Sequence, residues 1–335
     1  MGSEALPLGK LRATILARLL DQHRGAADPE LVLGPGIGRD AAGIRVEAGL
    51  LAAAADPITL AGEGAGYYAV MVNANDVAVL GATPRWLLTT VLLPPGTDEA
   101  AVESLFREIG EACVELGIAW AGGHTEITDA VVRPTVAATL LGPVGEAGLL
   151  DSGRARAGDA LVLVKSAPIE AVAVIAEARA DAVRERHGEA FLQRCLGFVR
   201  DPGIGVVREA GLAARAGARA LHDPTEGGLA TAVHEMCDAA GLGVRLEASA
   251  IVIPEEARIL CAEYNLDPLG AIASGALLAT VAPERVEQLH EALRGEGVPA
   301  ARIGELVADT AIRQIDGAPL PRFDADEVTR LFTEP

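Results

Sequence analysis

Lysine is almost missing from this chain: of 28 basic residues, only Lys10 and Lys165 are lysines and the rest are arginines. No Gly-x-x-x-x-Gly-Lys-Ser/Thr loop occurs, which excludes a P-loop nucleotide site. Positive charge as a whole is scarce. The 47 acidic residues leave a formal charge of −19, the opposite of the basic footprint that nucleic acids require. A small anion would also be repelled unless divalent cations or helix N-termini received it. The four cysteines, Cys113, Cys195, Cys237 and Cys261, form no Cys-x-x-Cys pair and no zinc spacing with the six histidines. They read as buried thiols of a reducing compartment. No apolar run reaches membrane-spanning length without charge, Gly or Pro. Met1–Lys10 carries no basic stretch followed by an apolar one, so a cytoplasmic protein with no membrane partner is expected. What is present is ordinary globular material: 335 residues, half hydrophobic and 22% charged, enough for two domains with cores of their own.

Helices and strands alternate along the chain. Leu11, Ile15 and Leu19, with Leu16 and Leu20 beside them, predict a helix over Leu8–His23. A Gly-rich loop, Gly34–Asp40, precedes strands at Gly43–Val46 and Leu50–Ala55, with Asp56-Pro57 expected to end the second. A connector with Gly62, Gly64 and Gly66 leads to a helix bearing Asn73, Asn75 and Asp76. Trp86–Leu93 reads as a buried strand, and Thr97–Leu116 as a helix capped by Thr97. A short strand, Ile118–Ala121, is expected to deliver Gly122–Glu126 as a loop, and Val131–Leu140 is another strand. Composition turns Gly-, Arg- and Asp-rich around Gly145–Asp159, which marks a boundary between domains 1–148 and 149–335. In the second half, strands are expected at Ala160–Lys165, Ala218–Leu221, Ala276–Val281 and Ala301–Val307. Helices are expected after the loop His222–Gly228 and over Pro283–Arg294. Neighbouring strands such as 43–46 and 50–55 favour an α+β architecture over a purely parallel sheet.

The most informative stretch runs from Val70 to Leu80, where Asn73, Asn75 and Asp76 interrupt apolar residues. Burying two amides and a carboxylate costs several kcal/mol unless hydrogen-bond partners or a cation meet them. Five segments place small residues beside acidic or amide groups: Gly36–Ala42, Asp56–Thr59, Asn75-Asp76, Gly122–Glu126 and Asp223–Gly228. Singly, most read as ordinary structure. Gly34–Gly38 can be a turn, Asp56-Pro57 a strand terminator, His124 and His222 hydrogen-bonded loop histidines, Glu126 and Glu226 solvated carboxylates. Together, carboxylates and glycine-lined amides suit phosphates bridged by hard divalent cations.

Five ordered motifs carry a family resemblance: Asp40-Ala-Ala42, the Asn75-Asp76 helix ending in Gly81-Ala82-x-Pro84, Gly122-Gly-x-Thr125, Asp223-Pro-Thr-x-Gly-Gly-Leu229 and Ser274-Gly-Ala-Leu-Leu278. The chain resembles the ATP-utilising superfamily that includes aminoimidazole ribonucleotide synthetase, selenophosphate synthetase and thiamine monophosphate kinase. Another member is the hydrogenase-maturation protein that dehydrates a carbamoylated cysteine, and Asp223–Leu229 is most similar to that branch. The resemblance implies a two-domain aminoimidazole ribonucleotide synthetase-like fold. It also implies a homodimer whose N-terminal sheets pair into a barrel, ATP with Mg²⁺ in a cleft between domains, and a small-molecule substrate. By motif, Asp40, Asp56 and Asp76 would hold Mg²⁺, with Glu126 as a further metal carboxylate and Asn75 orienting that shell. Gly36, Gly38, Gly122, Gly123 and Thr125 would line the nucleotide. Glu226, Gly227 and Gly228 would face it from the second domain, and Asp223, His222 and His124 are the candidate catalytic groups.

The chain departs from the family pattern in three places. Arg39 stands where relatives carry a second Asp before Asp-Ala-Ala, and His124 where they carry an acidic residue. The maturation branch ends in the cysteine that carries the carbamoyl group, whereas this sequence ends Thr329–Pro335 with Cys261 as its last cysteine; dehydration at its own terminal thiol is therefore not expected. Two readings follow: an ATP- and Mg²⁺-dependent enzyme that phosphorylates or activates a substrate, or a nucleotide-binding scaffold that does not turn over.

Overall fold

A computed structural model describes residues 14, 29–33, 36–39, 41–47, 49–58 and 64–333. Apart from residue 14, the helix expected at Leu8–His23 lies outside the described residues, as does the candidate ligand Asp40. The chain divides into two compact units, the first holding residues 29–33 and 41–149, the second residues 36–39 and 150–333.

The first unit is a six-stranded sheet: β1 (Leu31–Leu33), β2 (Ala42–Val46), β3 (Gly49–Ile58), β4 (Trp86–Leu93), β5 (Ala119–Ile127) and β6 (Thr135–Pro143). Their spatial order is β1-β2-β3-β6-β4-β5, with the β4–β5 pair parallel and the others antiparallel. Two helices, α1 (Ala65–Val79) and α2 (Glu99–Leu116), pack on each other, and α1 also packs on β3 and β6. Alternation decides which face is covered. Leu87, Thr89, Val91 and Leu93 are buried, whereas Trp86, Leu88 and Thr90 are exposed. The expectation of a buried strand is therefore met on one face only, because among the described residues helices cover only that face of the sheet. Among the described residues, no closed sheet forms.

Other boundaries also differ from expectation. β3 runs through Asp56-Pro57, which pair with Ala138 and Ala137. Beyond Ala53, β3 has β6 on one side and no β2 partner on the other, the kind of half-edge where a residue without an N–H is tolerated. Helix α2 is capped by Asp98, whose carboxylate accepts from the Ala101 amide at 2.9 Å. Thr97 turns its hydroxyl to the Pro94 carbonyl instead. β6 opens at Thr135, four residues later than expected.

The second unit is a seven-stranded sheet: β7 (Ala160–Val164), β8 (Ala220–His222), β9 (Gly243–Leu246), β10 (Leu277–Val281), β11 (Ala300–Val307), β12 (Arg313–Ile315) and β13 (Ala318–Pro319). Its order is β13-β12-β9-β11-β7-β10-β8. The central strands β7 (Ala-Leu-Val-Leu-Val) and β10 (Leu-Leu-Ala-Thr-Val) are buried throughout, as near-continuous apolar runs should be. The helices are α3 (Glu170–Ala178), α4 (Ala180–His187), α5 (Glu189–Gly197), α6 (Val207–Arg215), α7 (Gly228–Ala240), α8 (Glu255–Glu263) and α9 (Val286–Arg294), with the short α10 (Arg330–Thr333). One core joins the sheet to α7 through Val233, Met236 and Cys237; another joins α3, α5 and α8 through Ile175, Leu192 and Leu260. Among the described residues, no helix is long and apolar enough to cross a membrane.

Candidate functional site

In the first unit, α1 buries Asn73, Asn75 and Asp76 among Val70, Met71, Val77 and Val79. Asn73 is satisfied by the backbone of β3. Its Oδ1 accepts from the Asp56 amide at 2.9 Å, and its Nδ2 donates to the carbonyls of Asp56 (3.2 Å) and Ala69 (2.9 Å). This side chain is a clamp that fixes the end of β3 against α1. Asp56 lies two residues beyond buried Ala54, so its exposed carboxylate points to the face that α1 covers. Asp76 follows Asn73 by three positions, nearly one helical turn, on that side of the helix. Asp56 and Asp76 thus bring hard oxygen donors to one side of α1, a donor pair that suits Mg²⁺ and not a soft metal, whereas Asn75, two positions from Asn73, projects from another side of the helix. Among the described residues, no three His, Cys, Asp or Glu side chains form a metal-holding group by themselves.

Gly122–Glu126 is not a loop. It forms the middle of β5, the exposed edge strand next to β4, with a bulge where Leu87 and Leu88 face Trp120 and Gly122. Gly123 pairs with Thr89, and a Cβ at Gly123 would collide with the Thr89 backbone. Close strand approach therefore already explains this glycine. Alternation puts Gly123 and Thr125 on the α1 face, and His124 and Glu126 on the opposite one. The latter two bond each other at 3.0 Å in the open. Asp56, Ala138, Thr89 and Gly123 form one row across the sheet, so β5 lies about 14 Å from β3. Glu126 is accordingly not brought together with Asp56 and Asp76 around one ion of this chain. His124 likewise faces away from them.

In the second unit, β8 ends on buried His222, followed by buried Asp223. His222 Nε2 lies 3.1 Å from Glu235 Oε2 on α7. The segment Gly36–Arg39 packs here as well: a Cβ at Gly38, where φ is +67°, would sit 2.7 Å from the Glu235 carbonyl. Arg39 faces Asp151 at 3.6 Å, so the cation in place of an expected carboxylate is matched within its own unit. Gly227 and Gly228 open α7, but their amides are engaged. Gly227 N–H donates to Asp326 Oδ2 at 2.7 Å, and Gly228 N–H to the Thr225 carbonyl at 3.0 Å. A phosphate meeting this loop would not be cradled by those two N–H groups.

Several residues near these groups were not anticipated: Asp151, Glu235, Asp326 and Lys165. Asp326 reaches the loop from 99 positions away, a separation at which no local pattern could flag it. Lys165 is buried with φ +63° and donates to the carbonyls of Gly203 and Gly205, both at 2.8 Å. Burial lowers its pKa, with the Glu209 charge opposing that shift. Its rarity in the composition was the available signal. All four cysteines are buried, and burial pushes their thiols up to about 11 for Cys113 and Cys237 and about 12 for Cys195 and Cys261. None of the four presents a thiolate.

Comparison with known proteins places this geometry. Residues 38–144 match the model of the AIR synthase related protein, N-terminal domain, and residues 156–316 the model of its C-terminal domain. Carbamoyl dehydratase HypE of Azotobacter vinelandii is 32% identical over 327 residues, covering 92% of this chain and 87% of that protein. The chain belongs to the AIR synthase related family. Within the family it lies near the HypE branch, as HypE of Rhizobium leguminosarum bv. viciae also shows, at 31% identity over 76% of this chain and 71% of its own. Among solved structures, hydrogenase maturation protein HypE in complex with ATP superposes with a TM-score of 0.72 at 26% identity, covering 92% and 95% of the two chains. AaThiL complexed with AMPPCP and TMP gives 0.73 at 18% identity, covering 93% and 98%, a likeness of fold alone. The two-domain α+β fold of the family is thus the fold of this chain.

Proposed function

We propose that this family member is an ATP- and Mg²⁺-dependent enzyme that transfers the γ-phosphoryl group to an oxygen of a small substrate, leaving a phosphorylated or activated product. One observation carries the reading: Asp76 is buried in an apolar helix, one turn from the Asn73 that fastens Asp56 to that helix, in a chain 32% identical to a carbamoyl dehydratase. A bound Mg²⁺ would neutralise phosphate charge and fix the phosphoryl group for in-line attack. Asp56 and Asp76 would hold it, with Asp40, outside the described residues, as a further oxygen ligand. Thr125 and Gly123, on the same sheet face, are the remaining candidates to line the nucleotide in this unit. His222, oriented by Glu235, and Asp223 are the groups suited to receive a proton from the acceptor. Because the four cysteines are buried and burial raises their thiol pKa values, none of these thiols is the acceptor in this reading.

Homodimerisation belongs to the same proposal. Among the described residues β5 has no partner on its outer edge, and Trp86, Leu88 and Ile127 expose apolar surface on the face that no described helix covers. A cytoplasmic location fits the nucleotide. The scaffold reading keeps one supporting observation, that Arg39 and His124 are both paired with local carboxylates; it expects binding without turnover.

The test is a thermal-shift panel of nucleotides with and without Mg²⁺, followed by a phosphate-release screen of carbamoyl and hydroxyl acceptors. Stabilisation by ATP with Mg²⁺ but not by either alone is expected, and Asp76→Asn should remove it. Ligand at 100 times its Kd stabilises by about 2.7 kcal/mol, a readily visible shift. No response at millimolar ATP and Mg²⁺ would sink the proposal, and binding without release in any mixture would favour the scaffold.

A further inference from the structure

Where β9, β11 and β12 adjoin, one face of the seven-stranded sheet is core and the other carries charge. Val244, Leu246, Ile303 and Leu306 pack into the core shared with α7, so alternation sends Arg245, Glu247 and Glu305 to the opposite face. A bulge in β11 lets Arg302, three positions before Glu305, share that face. Register then sets two rows across the strands. Gln314 of β12, Arg245 of β9 and Glu305 of β11 are paired neighbours. Just beyond lie Asp316, Glu247 and Arg302, where Asp316 N–H donates to the Leu246 carbonyl and Glu247 N–H to the Ile303 carbonyl. Asp316 Oδ1 accepts from Ala248 N–H at 3.1 Å, which holds that carboxylate beside Glu247. These six residues line a cavity of about 380 Å³, a size in the range of small-molecule sites.

The polar groups of this cavity are under-used. Both guanidiniums approach Glu305 only to 3.7 Å, one at each carboxylate oxygen, which is too long for a hydrogen bond. Among the described residues the Arg245 guanidinium makes no hydrogen bond, and that of Arg302 makes one, from Nε to the Gly304 carbonyl at 3.4 Å. The Gln314 amide and the Glu247 carboxylate have no partner among them either. A guanidinium offers its donors in a fixed fork, so Arg245, with the Gln314 amide beside it, can take a ligand carboxylate in bidentate fashion. Glu247 and Asp316 can take an ammonium. A ligand of one sign uses only half of this. A plain anion meets three carboxylates in a chain already at −19, and a plain cation leaves the guanidiniums unsatisfied.

We propose that this cavity binds a small zwitterion, its carboxylate on Arg245 and Gln314 and its ammonium on Glu247 and Asp316. Arg245 and Glu247, like Gln314 and Asp316, are two chain positions apart, about 6.7 Å along a strand. Charges at that separation belong to a dipeptide, whose two residues extend about 7 Å, or to a long ω-amino acid. The charges of a single α-amino acid sit too close together to reach both rows. The cavity lies wholly within the second unit and uses none of the residues assigned to the nucleotide, so failure of either reading leaves the other standing.

Isothermal titration calorimetry of the full chain at low salt, with alanyl-alanine and with ε-aminocaproate, tests this. Saturable binding of at least one of them below about 10 mM is expected, and the tighter one shows whether the ligand is a peptide or an ω-amino acid. N-acetylated and C-amidated alanyl-alanine, each lacking one charge, should bind about fivefold more weakly or worse. Arg245→Gln and Glu247→Gln should each weaken the zwitterion by about the same factor. Each substitution should also erase one distinction: Arg245→Gln that against the amidated peptide, Glu247→Gln that against the acetylated one. Both side chains are exposed, so the thermal midpoints of the variants should match that of the parent chain. Absence of saturable heat with both compounds, equal binding of the singly charged analogues, or binding indifferent to both substitutions overturns the proposal.

Discussion

Asn73 and Glu170 are both buried polar side chains, and they differ in how they are satisfied. Asn73 meets backbone groups at both ends of its amide, so it is structural. Asn73→Ala would strand the Asp56 amide and carbonyl and should cost roughly 2–3 kcal/mol, read as a lowered denaturation midpoint with an unchanged slope. Glu170 has one oxygen without a partner and holds its proton to about pH 7. Its folded pKa lies above its unfolded one, near 4.3, so the folded state binds the proton more tightly. Its presence is harmless below pH 4, and stability is lost as pH rises from there to 7. Glu170→Gln should therefore leave stability at pH 4 unchanged and raise it at pH 8, by up to about 4 kcal/mol. Equal shifts at both pH values would contradict this. Asn75 and Asp76 were legible in the sequence because polar residues inside an apolar run are conspicuous. Glu170 was not: it starts an unremarkable helix, and its partners Ser274 and Asp326 lie more than 100 residues away.

At the scale of elements, the described helices cover the six-stranded sheet on one side only. The apolar run Trp86–Leu93 suggested a buried strand, but a run of hydrophobic residues does not reveal whether a second layer exists. Here Trp86 and Leu88 remain on the open face beside the unpaired edge of β5. If this face joins two copies, Leu88→Asp should leave folding intact and convert a dimer to a monomer in light scattering. A wild-type chain that is monomeric at tens of micromolar would contradict the dimer. The same sheet explains the misread of Gly122–Glu126. Two consecutive glycines resemble a loop, yet Gly123 is there because the backbone of β4 passes too close for a Cβ. Strand alternation then sends Glu126 to the wrong face for the metal assigned to it.

At the scale of the whole molecule, the fold and family were legible from five short motifs in fixed order, and the family matches now cover residues 38–144 and 156–316. Reaction and acceptor were not legible from those motifs, and the side chains found beside them, Glu235, Asp151 and Asp326, come from segments with no local pattern to flag them. The central claim is narrower than the reaction: Asp56 and Asp76 together bind a divalent cation that bridges ATP phosphates. Crystals grown with ATP and Mn²⁺ in place of Mg²⁺ test it most directly, since anomalous scattering locates the metal. The account predicts manganese about 2.2 Å from carboxylate oxygens of both Asp56 and Asp76. Manganese bound away from these two residues, or ATP bound with no metal at them, would contradict it.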